Sequence, residues 1–230
     1  MPTLRATLLC AALAAVFGAA GAAPKTAFEA SCVARLSPAL TIQAIESGYQ
    51  VDNTVSSRVL HNRGAHGHAS DLMLGMTAVT SRVEVGVAGS TLQDPSSGRE
   101  CLAPRIDIEL RYLPLQVFVA REFSPFGCPY RAVLEHEMRH VRLYLEHLPA
   151  VAALLRAELE RRYRGAPLYA ASGQGLTLLQ EQVDDWLWPM IKTEMHRVEL
   201  FQAALDTEDE AFHLSGACGG ELADNLKARY

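Results

Sequence analysis

The sequence predicts an α+β protein: an N-terminal antiparallel β-rich half followed by two long antiparallel helices. Two observations carry that expectation. Apolar Ile106, Ile108, Leu110 and Tyr112 alternate with polar neighbours, which is the period of a half-buried strand. After Pro129 the period changes, and Tyr130, Val133, Leu134, Glu137, Val141, Tyr144, Leu145 and Leu148 fall at helical spacing, with the proline suited to the first helical position. The 230 residues, 49% hydrophobic and 20% charged, can form one good core and exclude a disordered, collagenous or coiled-coil chain.

Residues 1–22 read as a signal peptide. Arg5 supplies the positive start, Ala6 to Ala20 form an apolar run, and Ala20-Gly21-Ala22 places small residues before a cleavage point at Ala23. That run is too short for a comfortable membrane span, so no stable span is expected after cleavage. Residues 23–230 then form a single domain, β-rich over 38–122 and helical over 129–210, in a periplasmic or secreted protein. Thr41–Ile45, Tyr49–Asp52 and Ser57–His61 read as short strands, and Leu72–Val87 as a longer strand-type run. The glycine- and histidine-rich segment 61–70 and the Pro/Ser/Gly segment 89–99 read as loops. Residues 104–112 and 115–121, separated by Leu113-Pro114, read as a β-hairpin.

In the helical half, Pro149 is expected to kink or interrupt the first helix. A turn at Gly165–Gly175 leads to the second, whose stripe is Leu179, Val183, Trp186, Leu187, Met190, Ile191, Val198, Phe201 and Leu205. Two helices so joined pack antiparallel. Cleavage removes Cys10 and leaves Cys32, Cys101, Cys128 and Cys218 in an oxidising compartment. The hairpin would bring Cys101 to Cys128, leaving Cys32 to pair with Cys218. The net charge of −5 argues against a nucleic-acid partner, which needs surplus lysine and arginine.

The chemistry lies in His136-Glu137-Met138-Arg139-His140, an HExxH motif. On a helix, positions i and i+4 share a face, so two imidazoles can hold one metal ion, Zn2+ in this pattern, while Glu137 acts as general base on its bound water. With this motif the chain resembles the HExxH zinc metallopeptidases, the zincins, in which the motif helix follows a sheet whose edge strand aligns a peptide. Val133, Leu134, Met138 and Val141 fit the uncharged surroundings usual there; Arg139 and Arg142 depart from them. More narrowly, Ile106 to Ala120 with Glu122, Cys128, Tyr130, His136, Glu137, His140 and Val141 resembles a bacterial group of predicted secreted zinc-dependent proteases of unassigned function. Gln202-Ala-Ala-Leu-Asp206 is similar to a Gln-x-x-Tyr-Asp stretch near the end of such proteins.

A catalytic zinc has three protein ligands. His147 is excluded as the third, because a rigid helix carries it about 10 Å along the axis from His140. Counting equal lengths out from the turn places the second helix against the motif between Met195 and Glu210. The carboxylates there include Glu199, Asp206, Glu208, Asp209 and Glu210, and His196 can instead bond an oxyanion. The narrower resemblance has a histidine a few residues beyond the aspartate, which implies Glu210 here, followed by Asp206 and Glu199. His61, His66 and His68 read as a solvated loop, and most of the acidic residues between Glu181 and Glu210 as the wet face of the second helix. The expected function is that of an exported zinc-dependent hydrolase, a metallopeptidase with a protein or cell-wall peptide as substrate. The alternatives are a non-catalytic envelope protein with a structural or vestigial metal site, and a peptidoglycan amidase.

Overall fold

The computed structural model describes residues 26–64, 73–164, 167–222 and 224; the expected signal peptide, His66 and His68 lie outside them. The chain is α+β, with a strand-rich first half followed by a mainly helical second half. Helix α1 (Ala27–Arg35) is followed by β1 (Ala39–Glu46), β2 (Tyr49–Asp52), α2 (Ser57–Arg63), β3 (Gly75–Ala78), β4 (Ser81–Asp94), β5 (Arg99–Tyr112) and β6 (Leu115–Val119). The helical half comprises α3 (Cys128–Tyr163), a short strand β7 (Leu168–Ala171), α4 (Gly175–Gln182), α5 (Trp188–Ala203) and α6 (Glu208–Gly216).

The strands form two sheets that adjoin at a corner as the two halves of one bent surface. The first half has the order β1-β5-β4, with β7 also paired to β5, and the second β2-β6-β3. The ladders stop at the corner and resume just beyond it: Glu46 lies opposite Tyr112 and Tyr49 opposite Leu115, while Ser81 faces Tyr112 and Ala78 faces Gln116. β1–β5 and β2–β6 are parallel, β4–β5 and β3–β6 antiparallel. The bend therefore passes through Ser47-Gly48, Val79-Thr80 and Leu113-Pro114. Gly48 has φ +72°, the left-handed region that glycine enters without strain. The Leu115 N–H donates to the Gly48 carbonyl at 3.0 Å, and the Leu113 N–H to that of Thr80 at 2.9 Å, so backbone hydrogen bonds bridge the corner between the ladders.

This corrects the expected hairpin. Leu113-Pro114 turns the chain from one half-sheet into the other without reversing it, since proline at a fixed φ serves a bend as well as a reversal. β5 instead pairs along its whole length with β4, which extends to Asp94 and absorbs much of the expected 89–99 loop. Ser57–His61 is also helical rather than extended, because the Ser56 side chain accepts the Val59 N–H and caps α2.

Helix α3 is one continuous element of 36 residues. Pro149 sits inside it on the exposed face, and the cost of its missing hydrogen bond, about 3 kcal/mol, is offset by a buried stripe. Val141, Tyr144, Leu148, Val151, Leu155, Leu159 and Tyr163 pack with Ile106, Ile108, Leu110 and Tyr112 of β5. About two turns earlier, Val133 belongs to a second cluster with Leu60, Phe118, Val119 and Phe123 on the other half-sheet. The segment 136–140 lies between these two clusters. Helices α4 and α5 form a continuous return path through a π-turn at Val183–Leu187, where the Trp188 N–H bonds the Val183 carbonyl just before Pro189. Buried Glu100 of β5 accepts the N–H groups of Gly173 and Gly175 and so anchors the start of that path. It ends at Ala203, sooner than the expected 210, and α6 begins at Glu208 after a break.

The disulfides are Cys32–Cys101 and Cys128–Cys218, not the expected Cys101–Cys128 and Cys32–Cys218. With no reversal at Pro114, Cys101 at the start of β5 and Cys128 beyond β6 lie at opposite ends of the bent surface. Cys101 meets α1, and Cys128, at the first position of α3, meets the segment after α6. An unreduced digest analysed by mass spectrometry should give these two pairs. Replacing Cys128 and Cys218 together by serine should lower stability by about 2–5 kcal/mol in denaturant titration.

Candidate metal centre

His136, Glu137 and His140 are all buried, at 8%, 5% and 7% exposure, because α3 faces the corner of the sheet on one side and α5 on the other. His136 and His140 stand one helical turn apart with ring centroids 4.9 Å from each other. Opposite them, Asp206 comes off the break between α5 and α6, its side chain 59% exposed.

Three donor atoms converge. His136 Nε2, His140 Nε2 and Asp206 Oδ1 are mutually 3.1 Å apart, and these three residues form a group able to hold a metal ion. A four-coordinate ion with bonds of about 2.0–2.1 Å needs donors about 3.3 Å apart, so the triangle accepts such an ion with little movement. Among the described residues no fourth His, Cys, Asp or Glu joins the group, and the exposed side of Asp206 leaves it open.

Gln202 presents the His140 imidazole in the tautomer a metal requires. Gln202 Nε2 donates to the His140 backbone carbonyl at 3.2 Å, which orients the amide so that Oε1 accepts from His140 Nδ1 at 2.6 Å. With the proton on Nδ1, the Nε2 lone pair faces Asp206. His136 Nδ1 lies 3.3 Å from Glu210 Oε1 and 2.9 Å from the Arg139 guanidinium, which is itself ion-paired to Glu210. A carboxylate accepting from the outer nitrogen of a ligating histidine fixes its ring and raises its basicity.

Of the three carboxylates ranked from the sequence, Asp206 therefore reaches the donor triangle, while Glu210 sits behind His136. The reason is the early end of α5: Asp206 leaves the helix toward the histidines, and Glu210 falls in the first turn of α6. Glu199 faces Tyr112 and Tyr144 electrostatically instead, and His196 is exposed. His147 bonds the Tyr112 hydroxyl at 2.9 Å and the Glu194 carbonyl at 3.0 Å, a role within the core. His61 is on α2. Gln202, Arg139 and Thr77 were not singled out as site residues from the sequence. Gln202 and Asp206, four apart in the window expected to face the motif, carried a readable signal; Thr77 carried none.

The charges respond as the geometry requires. Burial opposes a proton on His136, but the Asp206 hydrogen bond, the charge of Glu137 and the contact with Glu210 outweigh it and raise its pKa. His140 rises likewise, with burial outweighed by Asp206 and Gln202. Partial burial works to raise Asp206, yet its two imidazole partners hold it well below the usual carboxylate range. Burial lifts Glu137 above that range, against the pull of its Thr77 hydrogen bond and the two histidines. No protein-family model, curated protein or solved structure matches the chain.

Two expectations follow. Asp206→Ala should weaken Zn2+ binding, measured by chelator competition, by more than the roughly 10–100-fold expected when only an orienting residue is lost, the range predicted for Glu210→Gln. Second, the histidine contributions to stability of the metal-free protein are fully present below the unfolded value of 6.5 and are lost as pH rises through the elevated folded values. The contribution of Asp206 is present above its unfolded value of 3.8 and is lost as pH falls toward its depressed folded value. Metal must displace the same histidine protons, so the melting-temperature gap between zinc-loaded and metal-free protein should widen between about pH 6 and 8.

Proposed function

We propose that the protein is an exported zinc-dependent hydrolase acting on peptide bonds, in protein or cell-wall peptide substrates. The observation that carries this is the convergence of His136, His140 and Asp206 at 3.1 Å with a buried carboxylate, Glu137, at the adjoining helical position. Two imidazoles, one carboxylate and an open side are the donor set of a catalytic zinc rather than of a closed structural site. When bound, zinc supplies a Lewis acid and lowers the pKa of water toward neutrality.

The chain supplies the rest. Asp206, His136 and His140 hold the metal, with Gln202 and Glu210 keeping the two rings in register. Glu137 takes a proton at its carboxylate and returns it to the leaving nitrogen. β3 is at the margin of its half-sheet, with no further strand beside it among the described residues. A peptide added along that edge by strand pairing would lie next to Glu137, whose side chain touches β3. On the zincin-like reading, β3 is the edge strand that aligns the peptide. Two disulfides and the absence of any helix among the described residues long and apolar enough to cross a membrane support an exported protein.

Gently purified protein should carry one zinc per chain by elemental analysis. Glu137→Gln should keep metal and fold while lowering kcat about 10²–10⁴-fold. Full turnover in Glu137→Gln, or wild-type protein without metal, would overturn the proposal. Parallel assays with peptides and muropeptides separate a protease from an amidase acting on peptidoglycan.

A further inference from the structure

Glu137 is a carboxylate with only 5% exposure, and what holds it comes from outside its own helix. The Thr77 hydroxyl donates to Glu137 Oε2 at 2.8 Å, and its oxygen also lies 3.3 Å from the Glu137 backbone carbonyl. One hydroxyl proton serves one acceptor at a time, and both the shorter distance and the charge favour the carboxylate. Two residues earlier, on the same face of β3, is Gly75. A Cβ there would stand 2.5 Å from Glu137 Oε1, 2.9 Å from Glu137 Cγ and 2.7 Å from Val133 Cγ1. Val133 is a core residue at 1% exposure on a stiff β-branched side chain, whereas Glu137 has the longer, more flexible one, so such a clash is relieved first by displacing Glu137.

We infer that β3 sets the position of the Glu137 carboxylate, with Thr77 as a positioning residue acting by a hydrogen bond and Gly75 acting by clearance. The two constrain the two carboxylate oxygens separately, Oε2 by attraction and Oε1 by the space left for it. The functional part of this inference rests on the reading of Glu137 as the proton-transfer group. On that reading, one four-residue strand both offers an edge to the substrate and aims the carboxylate that acts on it. A shift of about 1 Å in such a group is enough to cost roughly a hundredfold in rate.

The test has two arms. In metal-free protein, a double-mutant cycle of Thr77→Val and Glu137→Met is read by thermal unfolding. Thr77→Val should lower the melting temperature by about 3–6 °C in the wild-type background and by far less beside Glu137→Met; additive shifts would overturn the inference. In zinc-loaded protein, amine release from a denatured protein substrate is followed. Thr77→Val and Gly75→Ala should each lower kcat by about 10–100-fold, with KM and zinc stoichiometry unchanged, and Thr77→Ser should restore most of the rate. Wild-type kcat in Thr77→Val alongside an inactive Glu137→Gln would sink the positioning role and leave the hydrolase reading intact. An active Glu137→Gln would sink the hydrolase reading instead, while the unfolding cycle still decides whether β3 holds Glu137.

Discussion

Helix α3 packs along its length against the bent surface of the two sheets, and the rest of the molecule depends on that packing. Its stripe from Val141 to Tyr163 is buried on one half-sheet, while Val133 belongs to the core of the other. A rigid helix gripped at two places can neither roll nor slide. Every residue between the grips has a fixed azimuth, and the two histidines and the glutamate of the motif occupy that interval. The bend supplies the space: a flat sheet would run straight under α3, whereas the corner lets β3 come up beside Glu137.

The second consequence of that packing is a division of labour on the far side of α3. The return path through α5 brings Gln202 to His140, the break after Ala203 releases Asp206 toward both imidazoles, and the first turn of α6 brings Glu210 to His136. Arg139, the charged residue that looked out of place inside the motif, is ion-paired to Glu210 and so has a structural reason to be there. Its charge lies on the outer side of His136, away from the donor triangle. There it neutralises a carboxylate that would otherwise add to the negative charge around Asp206.

Much of this was readable in the residues. HExxH on a helix, the exact span of β2, the change from strands to helices near Pro129 and the window in which the second helix meets the motif all depend on local spacing. What was not readable depends on long-range geometry. Pro114 has the same backbone restraint in a hairpin and in a bend, and only the partners of β5 and β6 distinguish them. The disulfide pairing followed from that one ambiguity. Ser56 signals a helix cap only if the following run is already known to be helical, and an apolar pair such as Val59-Leu60 suits a strand equally well. Choosing between Asp206 and Glu210 required knowing where α5 stops, to within one turn. The contact between Thr77 and Glu137 joins residues 60 apart in the chain through a strand pairing that no local pattern encodes.

The Cys128–Cys218 bond changes the topology of the centre as well as its stability. Along the chain, Asp206 is 66 residues from His140, and a donor on so long a loop would have to be gathered in each time an ion binds. The cross-link replaces that loop with a small ring running from Cys128 up α3 to the histidines, across to Asp206, and through α6 back to Cys218. In the language of coordination chemistry, the protein has turned a floppy open-chain chelator into something closer to a macrocycle. For any ion held there, the entropy of bringing the third donor home would be spent once, when the disulfide forms, and not again at each binding event.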